Sequence, residues 1–118
     1  MIVQSNMTQE DKNLLLKDLC ARLPYDTIVH ISNPAYSESV DEKLTIWTID
    51  NILFTNVKPY LRSMSSMTDE EEREFEETLQ YTQYTLESYD WLNAHHFDYR
   101  GLIGNGALEA PEGMYNLK

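Results

Sequence analysis

The sequence predicts an α+β fold, and three observations carry that expectation. Capped stretches with apolar residues at helical spacing stand at Thr8 to Leu23 and from Thr68 onward, and between them lies a segment rich in β-branched residues, Tyr25 to about Leu61. All four glycines (Gly101, Gly104, Gly106 and Gly113) fall after Arg100, so the C-terminal end reads as loop. The expected architecture is a small antiparallel β-meander of three to four strands, with an SH3-type barrel as its curled form, braced by about three helices. A chain of 118 residues suffices for one domain with one hydrophobic core. Residues 1–6 read as a loose N-terminal extension and residues 101–118 as a loop-rich C-terminal segment.

Thr8 followed by Asp11 resembles a capping box and opens the first helix. Leu15, Leu16, Leu19, Cys20 and Leu23 then form its apolar stripe, with Lys12, Lys17, Asp18 and Arg22 expected to face water, and Pro24 closes it. Thr27 to Ile31 and Leu44 to Ile49 read as strands, with residues 33–42 as the loop between them. Asp50-Asn51 reads as a hairpin turn into a returning strand over residues 52–55, and Val57 to Leu61 as a further short strand.

Thr68-Asp69-Glu70-Glu71 is a capping box whose acidic first turn complements the positive end of the helix dipole. Phe75, Leu79, Thr82 and Leu86 supply a narrow inward stripe, so one helix is expected across that span. Trp91, Leu92 and one of His95 or His96 suggest a last short helix ending near Phe97.

The formal net charge is −11, but residues 68–90 alone carry nine acids and one base, a local balance of −8. An acidic face repels a polyanionic duplex, so direct nucleic-acid binding is not expected. The longest apolar runs are three residues, far below the roughly 18 to 20 that a bilayer requires, so no membrane partner is expected. No secretory signal is read, and a single cysteine, Cys20, points to a reducing compartment, hence a cytoplasmic setting.

Candidate chemistry is sparse. His95-His96 with Asp90 and Asp98 is the most metal-like group, yet adjacent helical residues diverge by about 100° and the usual ligand spacings are missing. Cys20 on an apolar stripe reads as a buried, inert thiol. Gly101-Leu-Ile-Gly-Asn-Gly lacks the strand and helix that a dinucleotide fingerprint needs. No catalytic residue, metal or cofactor is assigned. The aromatics are the remaining signal: eight tyrosines exceed what a narrow stripe can bury, and tyrosine is enriched at interfaces. Glu70, Glu74, Glu77, Tyr81 and Tyr84 are the candidate protein-contact face, set against a plain solvated helix with half-packed tyrosines.

Three stretches, DKNLLLKDLCARLPY (11–25), VKPYLRSMSSMT (57–68) and DWLNAHHFDYRGLIGNGALEAPEGMY (90–115), resemble small uncharacterised proteins of gut Bacteroidales genomes and of their phages and prophages. The resemblance implies a bacterial cytoplasmic or phage setting, with no established catalytic residues to carry over. It is weakest over about residues 32–56 and in the helix after Glu72. The expected function is that of a phage or prophage accessory protein, a non-enzymatic interaction domain with another protein as partner. The alternative is an acidic inhibitor that mimics nucleic acid, and the third is a small enzyme.

Overall fold

A computed structural model describes residues 8–33, 35, 38–52 and 55–115. The expected N-terminal extension lies outside these residues, as do residues 53–54 of the expected returning strand. The fold is α+β, with four α-helices among the described residues and a five-stranded mixed sheet that does not close. In chain order these are α1 (Gln9–Arg22), β1 (Ile28–Asn33), β2 (Glu38–Lys43), α2 (Ile46–Asp50), β3 (Asn56–Ser63), α3 (Asp69–Glu76), α4 (Leu86–Ala94), β4 (Phe97–Asp98) and β5 (Leu108–Glu109).

The strand order is β2-β1-β3-β4, with β5 also on β3. β1 therefore sits between β2 and β3 and pairs antiparallel with both, whereas β3 pairs parallel with β4 and β5. This central placement replaces the expected meander order, and the open edges exclude a barrel.

α1 is built as its cap predicts. The Thr8 hydroxyl accepts from the Asp11 N–H at 3.0 Å, and the Asp11 carboxylate accepts from the Thr8 N–H at 3.2 Å. Its buried face consists of Leu15, Asp18, Leu19 and Arg22, spaced i, i+3, i+4 and i+7. The expectation that Asp18 and Arg22 face water is thus overturned. Cys20 is exposed, one step round from that face, which corrects its reading as a buried thiol.

Leu15 and Leu19 pack with Val29, Ile31, Leu44 and Val57 into the main core cluster. A second cluster joins Leu61, Leu102 and Ala107, and a third joins Phe75, Leu92 and Phe97 with Met64 and Met67 against them.

Leu44 to Ile49 is not a strand. Thr45 and Thr48 cap each other, the Thr48 N–H donating to the Thr45 hydroxyl and the Thr45 N–H to the Thr48 hydroxyl, and this nucleates α2. Asp50 ends α2 and Asn51 caps it, so no hairpin turn stands there; Ile52 lies in the turn after the helix and Thr55 in a bend. The strand partner of β1 is instead β2, drawn from the segment read as loop. Every β2 residue is exposed, so hydrophobic alternation could not reveal it. Its register puts Asp41 opposite His30, where the two side chains meet at 2.7 Å and the Tyr60 hydroxyl donates to the same carboxylate oxygen. No helix among the described residues is long and apolar enough to cross a membrane.

Candidate functional site

α3 begins at the predicted capping box. Thr68 accepts from the Glu71 N–H, and the Glu71 carboxylate accepts from the Thr68 N–H. The same carboxylate takes both ends of the Arg62 guanidinium at 2.9 and 2.8 Å, a bidentate pair that fixes the helix N-terminus on β3. Partial burial pushes the Glu71 carboxyl up, but Arg62 and the Thr68 N–H outweigh it and hold it below the ordinary glutamate range.

α3 stops at Glu76, well short of the expected length. The Thr78 hydroxyl donates to the Phe75 carbonyl, and the Thr85 and Ser88 hydroxyls both donate to the Thr78 carbonyl. Thr85 and Ser88 form a further capping box that starts α4. Hydroxyl groups thus satisfy the broken ends of two short helices where one long helix was expected. Between them, Gln80 and Gln83 exchange both backbone hydrogen bonds across Tyr81-Thr82. The φ values of Tyr81 and Thr82 are +53° and +67°, the positive pair that marks a type I′ turn. The Thr82 hydroxyl donates to the Tyr81 carbonyl.

All five candidate contact residues are exposed. Glu70, Glu74 and Glu77 follow one another at i, i+4 and i+7, so α3 and its cap bring them to one face. Tyr81 does not extend that face; it stands at the turn tip with 89% of its surface exposed. Tyr84 folds back with its ring edge on Phe75 of α3 at 5.2 Å, which ties the turn to the helix. The break also exposes Leu86 at 85%, contrary to its place on the inward stripe, and leaves Tyr89 stacked edgewise on Tyr84 at 5.4 Å. The exposure of Leu86 is what the sequence reading, which placed it on the inward stripe, did not foresee. The signal was present in Thr85 and Ser88, three residues apart like the other caps.

Beside α3 runs an open groove of about 1320 Å³. Asp69, Glu70 and Glu74 of α3, Glu109 and Glu112 of the C-terminal segment, and Arg62 and His95 are among the residues that line it.

The remaining chemical candidates are occupied by the fold. His95 stacks on Trp91 at 3.9 Å, whereas His96, buried and at φ +67°, stacks on Tyr115 at 3.8 Å, so the two rings serve different stacks. No group of three or more His, Cys, Asp or Glu side chains among the described residues could hold a metal ion. The Asp98 carboxylate accepts from the Leu102 and Ile103 N–H groups at 2.8 and 2.9 Å, so the glycine-bearing segment wraps an internal anion.

The missed charges of α1 form the most buried polar network. Asp18 accepts from Arg22 Nε at 2.8 Å and from Arg100 Nε at 3.0 Å, and Arg22 donates a further bond to the Phe97 carbonyl at 2.6 Å. Arg22 Nη1 has no partner among the described residues. This network joins α1, β4 and the segment after it, and it positions the platform that carries α4. Comparison of the chain with protein-family models, curated proteins and solved structures gave no match.

Proposed function

We propose that this chain is a non-enzymatic interaction domain of the phage or prophage accessory type, docking on a protein partner through Glu70, Glu74 and Glu77 of α3 and Tyr81 and Tyr84 of the turn that follows. The observation that carries the reading is the turn. Type I′ turns favour Asn-Gly because positive φ is cheap there, yet this chain places tyrosine and β-branched threonine at both positions. Strained backbone of this kind clusters where function demands it. Its effect is to hold an aromatic ring out in water in the turn between the helix that carries the exposed carboxylates and the helix that begins with the exposed Leu86. Tyrosine is enriched at the centre of binding surfaces, and charged groups such as these carboxylates belong to their polar rim.

A mimic of nucleic acid would call for a long two-row array of carboxylates, whereas the break after Glu76 confines those of α3 to about two helical turns. The test uses the immobilised protein in a bacterial host lysate, in three forms: wild type, the Glu70→Lys/Glu74→Lys/Glu77→Lys variant, and the Tyr81→Asn/Thr82→Gly variant. A protein retained by wild type and lost from both variants is the expected result. Identical retained sets for all three forms would overturn the reading.

A further inference from the structure

The ladder between β1 and β3 runs from Ser32 opposite Asn56 to Val29 opposite Pro59 and stops there. The next facing pair would be Ile28 and Tyr60, and a side chain from elsewhere fills that position. The Ile28 N–H donates to the Tyr115 hydroxyl at 2.9 Å, and that hydroxyl donates to the Tyr60 carbonyl at 2.7 Å. The phenol of Tyr115 is therefore wedged between two strands as the last rung of their ladder. Its ring lies flat on the His96 imidazole, 3.8 Å between centroids and 14° between planes. His96 in turn shares a hydrogen bond between Nδ1 and the Thr27 hydroxyl at 3.2 Å, one residue before Ile28.

The segment that leads to Tyr115 is otherwise lightly held. Glu109, Pro111, Glu112 and Gly113 are exposed, and the Ala110 N–H donates to the Leu61 carbonyl at 2.8 Å. This segment also lines the groove beside α3.

We propose that residues 110–115 form a strap latched by Tyr115, and that protonation of His96 opens the latch while the rest of the fold stays intact. The groups around the His96 ring are Arg22 from α1, Asp26 from the turn before β1, Arg62 from β3, His95 from the end of α4 and Tyr115 itself. Two of them are permanent cations, Asp26 is the lone anion, and burial opposes a charge in any case. The Tyr115 ring would accept a charged partner, but burial and the two guanidiniums held on the flanking His95 and Phe97 carbonyls oppose an imidazolium in the closed latch. Accordingly His96 is lowered from its ordinary 6.5 to about 4 in the closed state, chiefly by burial and then by Arg22.

The sign follows from linkage. The closed latch binds fewer protons than the open one, so its advantage is complete above about 6.5 and is lost as pH falls from there toward 4. Between pH 7.5 and 5.0 the open fraction rises by at most about 30-fold, the limit reached where opening returns His96 to its ordinary value, within a range where most carboxylates remain ionised. The opening moves part of the lining of the groove beside Glu70 and Glu74, which makes the contact face pH-dependent if the proposed docking role holds; the latch itself does not depend on that role.

The test is amide hydrogen exchange on the full chain at pH 7.5 and 5.0, read as protection factors so that intrinsic exchange rates divide out. The expected result is a loss of protection at Ile28, whose N–H is held by Tyr115, that reaches up to about 30-fold and is insensitive to sub-denaturing urea, whereas exchange at His30 and Lys58 in the same ladder rises with urea. The same urea sensitivity at all three amides, or no loss of protection at Ile28, would overturn the proposal. His96→Asn supplies the second arm, because asparagine tolerates the positive φ and does not titrate. It is expected to abolish the selective pH dependence at Ile28, and its persistence in that variant would assign the effect to another group and overturn the role of His96. Partner capture at pH 7.5 reads the docking proposal separately.

Discussion

Replacing Tyr81-Thr82 by Asn-Gly is expected to stabilise the protein while it removes the proposed contact. Both residues occupy the left-handed region, at φ +53° and +67°. That region costs an L-residue about 1–2 kcal/mol, with a β-branched side chain at the upper end. Glycine at 82 removes the cost and asparagine at 81 reduces it. Against this, glycine adds up to about 1 kcal/mol of freedom to the unfolded chain. Tyr81 is 89% exposed, so its loss forfeits little buried surface. The net expectation is a gain of about 1–2 kcal/mol. In urea this raises the unfolding midpoint by about 0.5–1 M at unchanged slope. Equal or lower stability would refute the reasoning, because it would mean that Tyr81 and Thr82 serve the fold and that the turn stores no strain for a surface role. Gain of stability with loss of partner retention is the combination that a functional site produces.

The buried network gives a second expectation: Asp18→Ala leaves Arg22 and Arg100 without their shared carboxylate and costs about 3–5 kcal/mol, measured by urea unfolding. Phe97→Ala is expected to cost about 3–5 kcal/mol, since the fully buried ring lies between Trp91 and the Arg62 guanidinium, and the loss of near-ultraviolet aromatic dichroism should accompany it. Glu71 has a lowered folded-state pKa, so its contribution to stability is present above the ordinary glutamate value of 4.5 and disappears as pH falls through the lower folded value. Glu71→Gln should therefore lower stability at neutral pH and converge with wild type in strong acid, which a pH series of urea midpoints reads directly.

The class of the fold and the caps were legible, since Thr8 with Asp11 and Thr68 with Glu71 nucleate helices by local hydrogen bonds that need no tertiary partner. The face of α1 was legible in position but not in chemistry. Asp18 and Arg22 fall on the same stripe as Leu15 and Leu19, and only the arrival of Arg100 and the Phe97 carbonyl, some 75 to 82 residues later in the chain, makes their burial affordable. β2 was illegible for the opposite reason. All six residues face water, and its place is set by backbone pairing and by the cluster of Asp41 with His30 and Tyr60. Short alternating runs are ambiguous between strand and helix, and at Leu44 to Ile49 the mutual capping of Thr45 and Thr48 decided for helix. The candidate face was half legible. Exposure of the carboxylates follows from composition, but the turn that separates Tyr81 from them depends on Thr78, Thr85 and Ser88 acting together across ten residues.

Arg62 stands where the acidic helix and the latch meet, and its contacts explain how the latch can open while the anchor of α3 holds. Its guanidinium holds Glu71 at the start of α3 and also donates to the His95 carbonyl, while its own N–H donates to the His96 carbonyl. The guanidinium lies 4.1 Å from the centre of the Phe97 ring, so three elements converge on one side chain. These bonds hold the backbone of His95 and His96 in place whichever way the Tyr115 strap moves, because none of them involves Tyr115. Glu70 and Glu74 line the groove with Arg62 without a hydrogen bond to it among the described residues, and Glu77 is exposed just past the end of α3. The Tyr115 hydroxyl bonds to β1 and β3 and not to α3, and protonation of His96 leaves the Arg62–Glu71 anchor of α3 intact. That separation is what lets hydrogen exchange at Ile28 and partner retention by α3 report on two distinct properties of the same small domain.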